Sequence, residues 1–338
     1  MARVLLTGGA GYIGTHIACA LATAGRASVS VDNYANSSPR AVERVLSIAP
    51  GAVEAFEVDV RDTRRLAQIL RAADVDSVIH LAGLKAVGDS VGDPAGYRDC
   101  NVGGTASLLE ALAATPVRRF VFSSSCTVYG AAARVPVDES APLAPASPNG
   151  ENKLEIERML AGLARRDPSW RIASLRYFNP VGAHESGRIG EDPRGAPNNL
   201  MPYVCQAAIG RRAELGIFGS DYPTRDGTCV RDYVHVMDIA EGHVAALAAL
   251  ERAPPGTMLT VNLGTGRGCS VLELVRTFEQ VNGVRVPWRY TGRRDGDVAE
   301  VYADVALARR VLGWEARRGL DAMCRDAWRW QSASPDGY

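Results

Sequence analysis

The first half of the chain alternates two patterns of apolar residues. Short runs that are almost wholly apolar predict five strands, at 3–7, 28–32, 53–58, 77–82 and 118–124. Between these runs the apolar residues recur at helical spacing, which predicts helices that include 12–24, 61–73 and 94–113. Strands of this kind are buried on both faces, as is typical of a parallel sheet covered by helices. We therefore predict a doubly wound parallel α/β sheet.

The pattern becomes less regular after about residue 180. A sixth strand is predicted within 171–182, and residues 184–199 are rich in Gly, Pro, Asn and charged side chains, as a loop around a polar ligand would be. Further helices are predicted from 148, from 199 and at about 237–249, with short strands and one helix at 258–302. We expect two interleaved domains: 1–180, a smaller mixed α/β domain over 181–338, and a segment near 234–262 that returns to the first.

Composition excludes several classes of partner. The 338 residues are 46% hydrophobic and 22% charged, with a net charge of zero. Such a composition is ordinary for a soluble globular protein and indicates neither a nucleic acid nor a membrane surface as partner. No apolar run is long enough for a membrane span, and a strand that begins almost at Met1 leaves no room for a leader. The seven cysteines are scattered without a C-x-x-C pair, so we expect reduced thiols, no metal site and a cytoplasmic protein.

Three glycines follow the first predicted strand. Gly8, Gly11 and Gly14 come directly after it, and a helical pattern starts at Tyr12. A strand, a glycine turn and a helix in that order bring backbone N–H groups to a pyrophosphate at the positive end of the helix. Glycines also mark ordinary tight turns. Asp32, however, ends the next strand, where an acid suits the ribose hydroxyls of NAD and repels the 2′-phosphate of NADP. The sequence thus predicts an NAD site.

Small and polar residues follow three later strands. Asp59 comes after the third, where its side chain could reach the adenine. Ala82 and Gly83 follow the fourth and are expected to lie under the cofactor, with simple close packing as the alternative. The fifth strand ends in three serines. We expect Ser125 to face the ligand crevice and the two serines before it only to cap a turn.

Lysine is almost absent from the chain. Only Lys85 and Lys153 are lysines among 38 basic residues. A GC-rich genome replaces lysine by arginine wherever a positive charge suffices. The two exceptions therefore indicate sites where a compact ammonium does something that a planar guanidinium cannot.

These features belong to a longer set of motifs. They are TGGAGYIG at 7–14, DN at 32–33, HLAGLKAVG at 80–88, FSSSCTVYG at 122–130, LRYFNPVGAH at 175–184, EDPRGAPNNLMPY at 191–203, GTCVRDYVHVMD at 227–238 and RRDGD at 293–297. With them the chain strongly resembles the UDP-galactose (UDP-glucose) 4-epimerase family, within the extended short-chain dehydrogenase/reductases, over nearly its whole length. The resemblance implies a Rossmann-type fold, NAD as cofactor, UDP-hexose substrates and a homodimer.

The resemblance also implies ligand contacts residue by residue. Around NAD it implies Gly8, Gly11, Tyr12, Ile13, Gly14, Asp32, Asn33, Asp59, Val60, Leu81, Ala82, Gly83, Lys85, Lys153 and Tyr177. Around the UDP-sugar it implies Ser125, Asn179, Asn199, Leu200, Phe218, Arg231, Arg294, Asp297 and Val301. Physical chemistry agrees with the second set, because two arginines can bind a diphosphate bidentately and an aromatic ring can flank the uracil. Lys153 is implied to bind the nicotinamide ribose and to lower the pKa of a catalytic tyrosine.

Asparagine occupies the position of that tyrosine. The family motif is Y-x-x-x-K, whereas this chain reads NGENK at 149–153. A tyrosine whose pKa is lowered from about 10 can take the proton of the sugar 4-hydroxyl, and an asparagine cannot. Losing a positioned base should cost about 10²–10⁴ in rate. We expect Ser125, Asn149 and Lys153 to form the catalytic set, in which Ser125 forms a hydrogen bond with the sugar 4-oxygen.

Three explanations for Asn149 remain open. The change is engineered in an otherwise intact enzyme; or it is natural, and Ser125, a water beside Asn149 or the substrate itself carries the proton; or the protein only binds UDP-sugars. A substrate with an activated 4-hydroxyl needs less help from a base. An example is a 5,6-unsaturated UDP-hexosamine of specialised metabolism such as antibiotic biosynthesis. The retention of Lys153 and Arg294 argues against drift after loss of function.

Position 301 bears on substrate size. Val301 stands where the resemblance implies a bulky tyrosine in glucose-only members and a small residue in those that accept N-acetylated sugars. We therefore expect tolerance of UDP-N-acetylhexosamines. The sequence predicts 4-epimerisation of a UDP-hexose or UDP-N-acetylhexosamine through a 4-keto sugar, with a silent UDP-sugar-binding protein as the alternative.

Overall fold

Fourteen strands occur in the part of the chain that the structure, a computed structural model, describes: residues 3–294 and 296–338, without the side chain of Val87. They are β1 (Arg3–Thr7), β2 (Ser28–Asp32), β3 (Val53–Glu57), β4 (Val75–His80), β5 (Arg119–Ser125), β6 (Arg171–Tyr177), β7 (Asn179–Val181), β8 (Leu215–Phe218), β9 (Val230–Arg231), β10 (Tyr233–His235), β11 (Met258–Leu263), β12 (Cys269–Ser270), β13 (Trp288–Thr291) and β14 (Glu300–Val301).

Twelve α-helices occur in the same residues. They are α1 (Tyr12–Thr23), α2 (Pro39–Ile48), α3 (Thr63–Ala72), α4 (Val87–Gly92), α5 (Pro94–Arg98), α6 (Gly104–Ala113), α7 (Pro148–Arg166), α8 (Leu200–Ala208), α9 (Val236–Arg252), α10 (Val271–Asn282), α11 (Ala306–Leu312) and α12 (Leu320–Ala333). A π-helical turn, Asp99–Gly103, joins α5 to α6, and a 3₁₀ turn, Cys126–Tyr129, follows β5.

Seven of the strands form one sheet, in the order β11-β6-β5-β4-β1-β2-β3. All of its strand pairs are parallel. The chain runs outward from β1 to β3 on one side and then from β4 towards β11 on the other. The order therefore reverses between β1 and β4, and in such sheets the crevice at the carboxyl ends of the strands around that point is where ligands bind.

Both faces of the sheet are buried, because successive side chains of each strand point to opposite sides. In β1, Val4 and Leu6 join an apolar cluster that also contains Ile17 of α1. Leu5, between them, joins a second cluster with Leu66 of α3. Helices on both faces confirm the predicted doubly wound, Rossmann-type α/β fold.

The second half of the chain forms three small sheets beyond the carboxyl edge. β7 pairs with β10, β8 pairs with β13, and β9 lies between β12 and β14. A third apolar cluster, with Val204, Phe278 and Met323, fills the space between α8, α10 and α12. From the segment near 234–262, α9 packs on α1 and β11 pairs with β6. The division into domains at residue 180 stays a prediction.

Most predicted elements of the first half are present, with shifts of a few residues at their ends. The helix predicted over 94–113 is only partly right, because the π-helical turn interrupts it. The sequence analysis missed α2, although Ser38 caps it by accepting a hydrogen bond from the Arg40 N–H and Pro39 begins it. No helix within 3–294 and 296–338 is long and apolar enough to cross a membrane.

Candidate active site

The glycine turn after β1 is packed directly against backbone. Gly8 has φ +67, and a Cβ added there would lie 2.8 Å from the backbone nitrogen of Ala82. A Cβ on Gly14 would lie 2.5 Å from the carbonyl oxygen of Gly8. Gly11 precedes α1 without capping it through a side chain, and the first turn of α1 carries no acid. The N–H groups at this helix end are thus left to a ligand, and a negatively charged group such as the pyrophosphate of NAD fits there.

Asp32 lies at the end of β2 beside this turn. Its Oδ2 accepts a hydrogen bond from the Ala10 N–H at 3.0 Å. Its Oδ1 accepts from the Tyr34 N–H at 2.9 Å and from the Ser37 hydroxyl at 2.8 Å. Three bonds hold the buried carboxylate in one orientation, in which a ribose hydroxyl can donate to its remaining lone pairs.

Asp59 lies one strand further out. Asn33 Nδ2 donates to its Oδ2 at 2.9 Å, and the Arg61 guanidinium donates to both of its oxygens, at 2.9 and 2.8 Å. These bonds, the Arg61 ones above all, hold the pKa of Asp59 far below its ordinary value. Asp59 is therefore a fixed anion at the edge of the sheet, and the next residue, Val60, is buried in the apolar cluster beneath.

A buried polar chain links β1 to β4 under the turn. Thr7 Oγ1 lies 2.6 Å from His80 Nδ1, and His80 Nε2 lies 2.9 Å from Thr105 Oγ1. Burial lowers the pKa of His80 to about 3, so the ring is neutral. Thr7 Oγ1 also accepts from the N–H groups of Leu81 and Ala82, each at 3.3 Å. These bonds position the two residues against the glycine turn.

Asn101 was missed by the sequence analysis. A Cβ on Gly83 would lie 2.7 Å from its Oδ1. Asn101 Oδ1 accepts a hydrogen bond from the Leu84 N–H at 2.7 Å, and Asn101 Nδ2 donates one to the Leu84 carbonyl at 3.0 Å. Asn101 lies in the π-helical turn, a feature frequent at functional sites. It fixes the segment that leads to Lys85.

α7 carries two of the predicted catalytic residues. Asn149 and Lys153 are four residues apart, hence on one face of the helix, and are only 5% and 8% exposed. Ser147 caps the helix by accepting from the Gly150 N–H at 3.2 Å, and Pro148 begins it. The predicted helix is confirmed here. It brings Lys153 to the Ser123 carbonyl near the end of β5 and Asn149 to the Lys85 carbonyl after β4.

The polar atoms of these two side chains differ in their partners. Lys153 Nζ donates to the Ser123 carbonyl at 2.9 Å and lies 4.9 Å from the centre of the Phe122 ring. Burial lowers the pKa of Lys153 to about 8, against a smaller attraction from Glu157. Asn149 Nδ2 donates to the Lys85 carbonyl at 3.4 Å, whereas its buried Oδ1 has no hydrogen-bond partner among the described residues.

Ser125 ends β5 next to Tyr177, its register partner on β6. Its Oγ accepts from the Thr127 N–H at 3.2 Å and so caps the 3₁₀ turn. Burial raises the pKa of Tyr177, which is therefore a neutral phenol. The two preceding serines do not cap a turn, contrary to expectation. Ser123 Oγ lies 2.7 Å from His243 Nε2, and Ser124 donates to Glu157, which is described next.

A buried ion pair lies beneath Lys153 and was also missed. Arg176 donates to both oxygens of Glu157, at 2.9 and 2.6 Å, and Ser124 Oγ donates to the same carboxylate at 2.6 Å. The Arg176 guanidinium also donates to the Tyr129 hydroxyl at 3.1 Å, and that hydroxyl donates to Asn262 Oδ1 at 2.7 Å. Because Arg176 pairs with Glu157, this carboxylate does not form an ion pair with Lys153.

A second charged group is built around Asp297. Arg231 Nη2 lies 3.4 Å from Asp297 Oδ1, and Arg294 contacts both carboxylate oxygens, at 2.8 and 3.1 Å. The Arg294 guanidinium lies 5.5 Å from the centre of the exposed Phe218 ring. Val301 is buried and is the register partner of Arg231 across the pair of β14 and β9.

Glu191 joins two further predicted residues. Its Oε1 lies 3.1 Å from Lys85 Nζ and accepts from Asn199 Nδ2 at 2.6 Å. Its backbone carbonyl accepts from Trp330 Nε1 at 3.3 Å. Asn199 directly precedes α8, which begins at Leu200. The sequence analysis did not single out Glu191, although it is the first residue of the motif at 191–203.

Tyr12 connects α1 to the second half of the chain, and Asn179 joins two segments within that half. The Tyr12 hydroxyl donates to the Gly182 carbonyl at 2.7 Å, and the Asn179 N–H donates to the Asp232 carbonyl at 2.9 Å. Ile13, the next residue of α1, packs against the first apolar cluster.

Several predicted residues that are far apart in the sequence are in contact in the structure. Hydrogen bonds and one ion pair connect Asn149, Lys85, Glu191 and Asn199 in that order. Within the described residues a separate group forms around Asp297, which pairs with Arg231 and Arg294, while Arg294 also lies over the Phe218 ring. In the same residues no group of three or more His, Cys, Asp or Glu side chains is arranged to hold a metal ion.

Comparison with known proteins gives one consistent result. The chain matches the profile of the NAD dependent epimerase/dehydratase family over residues 4–264. It is 50% identical to the UDP-glucose 4-epimerase of Bacillus subtilis (strain 168) over 335 residues, 99% of this chain and 98% of the relative.

Two solved structures are similar over their whole length. The UDP-glucose-4-epimerase of Stenotrophomonas maltophila, with bound NAD and formylated UDP-arabinopyranose, has a TM-score of 0.97 and 49% identity, with 99% of both chains covered. The UDP-glucose 4-epimerase of Bifidobacterium longum, in complex with NAD+ and UDP, has a TM-score of 0.95 and 45% identity, with 100% of both chains covered.

The glycine turn fits NAD, and relatives of the same length and fold bind it. NAD is therefore the cofactor of this chain, which is an enzyme of the NAD-dependent epimerase/dehydratase family, in the group of the UDP-glucose 4-epimerases.

Proposed function

We propose that the protein interconverts the C4 epimers of a UDP-hexose or UDP-N-acetylhexosamine through a 4-keto sugar, with Asn149 in place of the tyrosine base. We also propose that it does so as a cytoplasmic homodimer, with residues 1–180 mainly holding NAD and 181–338 mainly holding the UDP-sugar.

The arrangement around Asp297 supports the substrate class most strongly. Two guanidinium groups, from Arg231 and Arg294, meet at one carboxylate. A phosphate offers oxygens in a similar geometry, so a diphosphate can replace that carboxylate as partner of both arginines. The exposed Phe218 ring beside them offers an apolar face to a planar base. UDP combines a diphosphate and a planar base.

The residues of the chain have separable roles in the proposed reaction. Bound NAD supplies the group that accepts and returns a hydride at C4 of the sugar. Ser125, whose oxygen is fixed by the Thr127 N–H, donates a hydrogen bond to the sugar 4-oxygen. When it carries a proton, Lys153 places positive charge at a buried position near the oxygen on which negative charge develops. The arginines hold the nucleotide while the 4-keto sugar turns to present its other face.

Asn149 favours a second candidate substrate. Its side chain is buried, carries no titratable group and lies on the same face of α7 as Lys153. A sugar nucleotide with a more acidic 4-hydroxyl, such as a 5,6-unsaturated UDP-hexosamine, would lose its proton at such a site more readily than UDP-galactose does.

The first experiment compares the protein with Asn149→Tyr in the C4 epimerisation of UDP-galactose and UDP-N-acetylgalactosamine. We expect the tyrosine to raise the rate by about 10²–10⁴, because it restores a positioned base. Asn149→Phe is the matched control, since it adds the ring without the hydroxyl. If neither the protein nor the tyrosine variant turns over, the 5,6-unsaturated substrate is tested next. Inactivity there as well would leave a UDP-sugar-binding protein.

The second experiment tests substrate size with Val301→Tyr. Because Val301 is buried at the register position of Arg231, a larger side chain must project into neighbouring space. We expect turnover of UDP-N-acetylgalactosamine to fall at least about tenfold while turnover of UDP-galactose is kept. Val301→Ala serves as the control for loss of packing. Equal loss of both substrates in the tyrosine variant would contradict the proposed role of this position.

A further inference from the structure

We propose that Lys153 is the proton acceptor for the sugar 4-hydroxyl, and that it is reached through a water molecule held by Oδ1 of Asn149. The inference rests on the proposed 4-epimerase function and deepens it, because it names the base that acts when no tyrosine is present.

The side chain of Asn149 is built to hold a donor that the protein does not supply. Its Nδ2 is fixed by the Lys85 carbonyl at 3.4 Å, which orients the amide. Its Oδ1 is buried and lacks a partner among the described residues. Leaving such an oxygen unpaired costs about 1–3 kcal/mol, which a water donating to it would offset. Asparagine is also much shorter than tyrosine, so a water can stand near the place where a phenol oxygen would end.

Lys153 lies one helical turn further along α7, and its amino group is buried. Its ammonium bonds the Ser123 carbonyl, and within 3–294 and 296–338 it takes part in no ion pair with a carboxylate. The nearest acid on α7, Glu157, is bound by Arg176 instead. A buried ammonium without a counter-ion gives up its proton more easily than an exposed one.

The surroundings of Lys153 favour its neutral, uncharged form. Burial lowers its pKa to about 8, and the attractions of Glu157 and of the Cys100 thiol, which raise the pKa, are smaller. The titratable and charged groups on the elements packed against α7 are Asp89, Tyr97, Arg98, Asp99, Cys100, Arg119, Cys126, Tyr129, Arg171, Arg176 and Tyr177, with His80 on β4 behind them. His80 and Tyr177 are neutral because burial disfavours their charged forms. At neutral to mildly alkaline pH a useful fraction of Lys153 is therefore the free amine.

The proton step is balanced with these groups alone and the cofactor. The water donates a proton to the Lys153 amine and takes the proton of the 4-hydroxyl. The O–H electron pair becomes the second bond of the 4-carbonyl as C4 loses a hydride to NAD, the oxidant of the step. In the return step the ammonium gives the proton back through the same water, so that neither Lys153 nor the water is consumed.

The pH dependence of turnover is the first test. If Lys153 is the acceptor, the rate should rise about tenfold per pH unit and level off near pH 8. In Asn149→Tyr the phenol accepts the proton, so the plateau should begin at a different pH.

Variants of Lys153 separate its basicity from its charge. Lys153→Arg keeps the charge and loses the base, and we expect at least about a 10²-fold loss with bound NAD and thermal stability retained. In Lys153→Ala, ethylamine should restore part of the rate, whereas tetramethylammonium, which is cationic but accepts no proton, should not.

A spectroscopic readout does not depend on turnover. Because the chain has only two lysines, ¹³C-lysine labelling gives one set of side-chain NMR signals for each. The set that is missing in Lys153→Arg belongs to Lys153. The titration midpoint of Lys153 in the NAD-loaded protein should coincide with the midpoint of the rate profile.

The outcomes are distinguishable. A rate that is independent of pH from about 6 to about 10, or equal rescue by the two cations, would overturn the role of Lys153 and leave the epimerase function standing. If UDP binds but neither the protein nor Asn149→Tyr converts any UDP-sugar, the proposed function fails, and this inference fails with it.

Discussion

The glycine turn after β1 and the arginine group around Asp297 are the two proposed anion sites of the molecule, and they are built from different parts of the chain. In the turn, the donors are backbone N–H groups, and at Gly8 and Gly14 the space that a Cβ would need is occupied by neighbouring backbone. In the arginine group the donors are side chains, and Asp297 already supplies an opposite charge.

The difference teaches how each site responds to change. A site of packed backbone cannot adjust, so its weakness is steric. A site of paired side chains must exchange one partner for another when an anion binds, so its weakness is a change in charge or in hydrogen-bonding geometry. Substitutions at the two sites should therefore fail in different ways.

The largest effect is expected from Gly14→Ala in the turn. The added Cβ would lie 2.5 Å from the Gly8 carbonyl oxygen and 2.7 Å from Gly9 Cα, and neither can move alone because both are backbone. We expect about 1–3 kcal/mol of lost stability and loss of tightly held NAD, measured by thermal unfolding and by the nicotinamide content of purified protein. Gly92→Ala is the control, since nothing lies within 4 Å of its Cβ position. Retained NAD in Gly14→Ala would show that the turn adjusts after all.

A smaller effect is expected from Arg231→Lys in the arginine group. Lysine keeps the charge but cannot bind a phosphate through two parallel N–H donors. The Kd for UDP should rise about tenfold, by calorimetry, and NAD content should not change. Arg225→Lys, at an exposed ion pair with Glu273, should leave UDP binding as it is. An unchanged Kd in Arg231→Lys would place the diphosphate elsewhere.

The smallest effect is expected from Glu191→Gln, which changes charge and little else. Glutamine still accepts from Asn199, but the negative charge beside Lys85 is gone. Because that charge opposes an incoming anion, the Kd for UDP should fall about two- to fivefold. Glu155→Gln, in an exposed pair with Arg98, is the matched control. Weaker binding in Glu191→Gln would mean that the Glu191–Lys85 pair positions Lys85 for the ligand.

Features that depend on local pattern were predictable from the sequence. The apolar runs gave the strands of the sheet, and the order strand, glycine turn, helix gave the nucleotide-binding turn. Features that depend on contacts between distant residues were not. Glu191 is 106 positions from Lys85, and Asn101 is 17 positions from Leu84. No local pattern marks such pairs, since only the folded sheet brings them together.

The helix ends and the buried polar network show the same division. Ser147 and Pro148 mark the start of α7 in the sequence itself. In the sequence, Glu157 and Arg176 look like ordinary charged residues of a helix and a strand. Only the folded structure shows that they form a buried ion pair. Asn149 could be recognised as a departure from the family motif. That its Oδ1 is buried without a hydrogen-bond partner among the described residues is visible only in the structure.

The register of β14 against β9 has a consequence for how this enzyme can change over generations. Val301 and Arg231 are direct partners across that pair, so the position that is proposed to admit the sugar lies beside the one that is proposed to hold the nucleotide, on the neighbouring strand. The residue chosen at one position therefore limits the side-chain sizes that suit the other. In a selection for altered sugar preference from a library randomised at both positions, the recovered residues should be correlated, whereas positions 301 and 225 should vary independently.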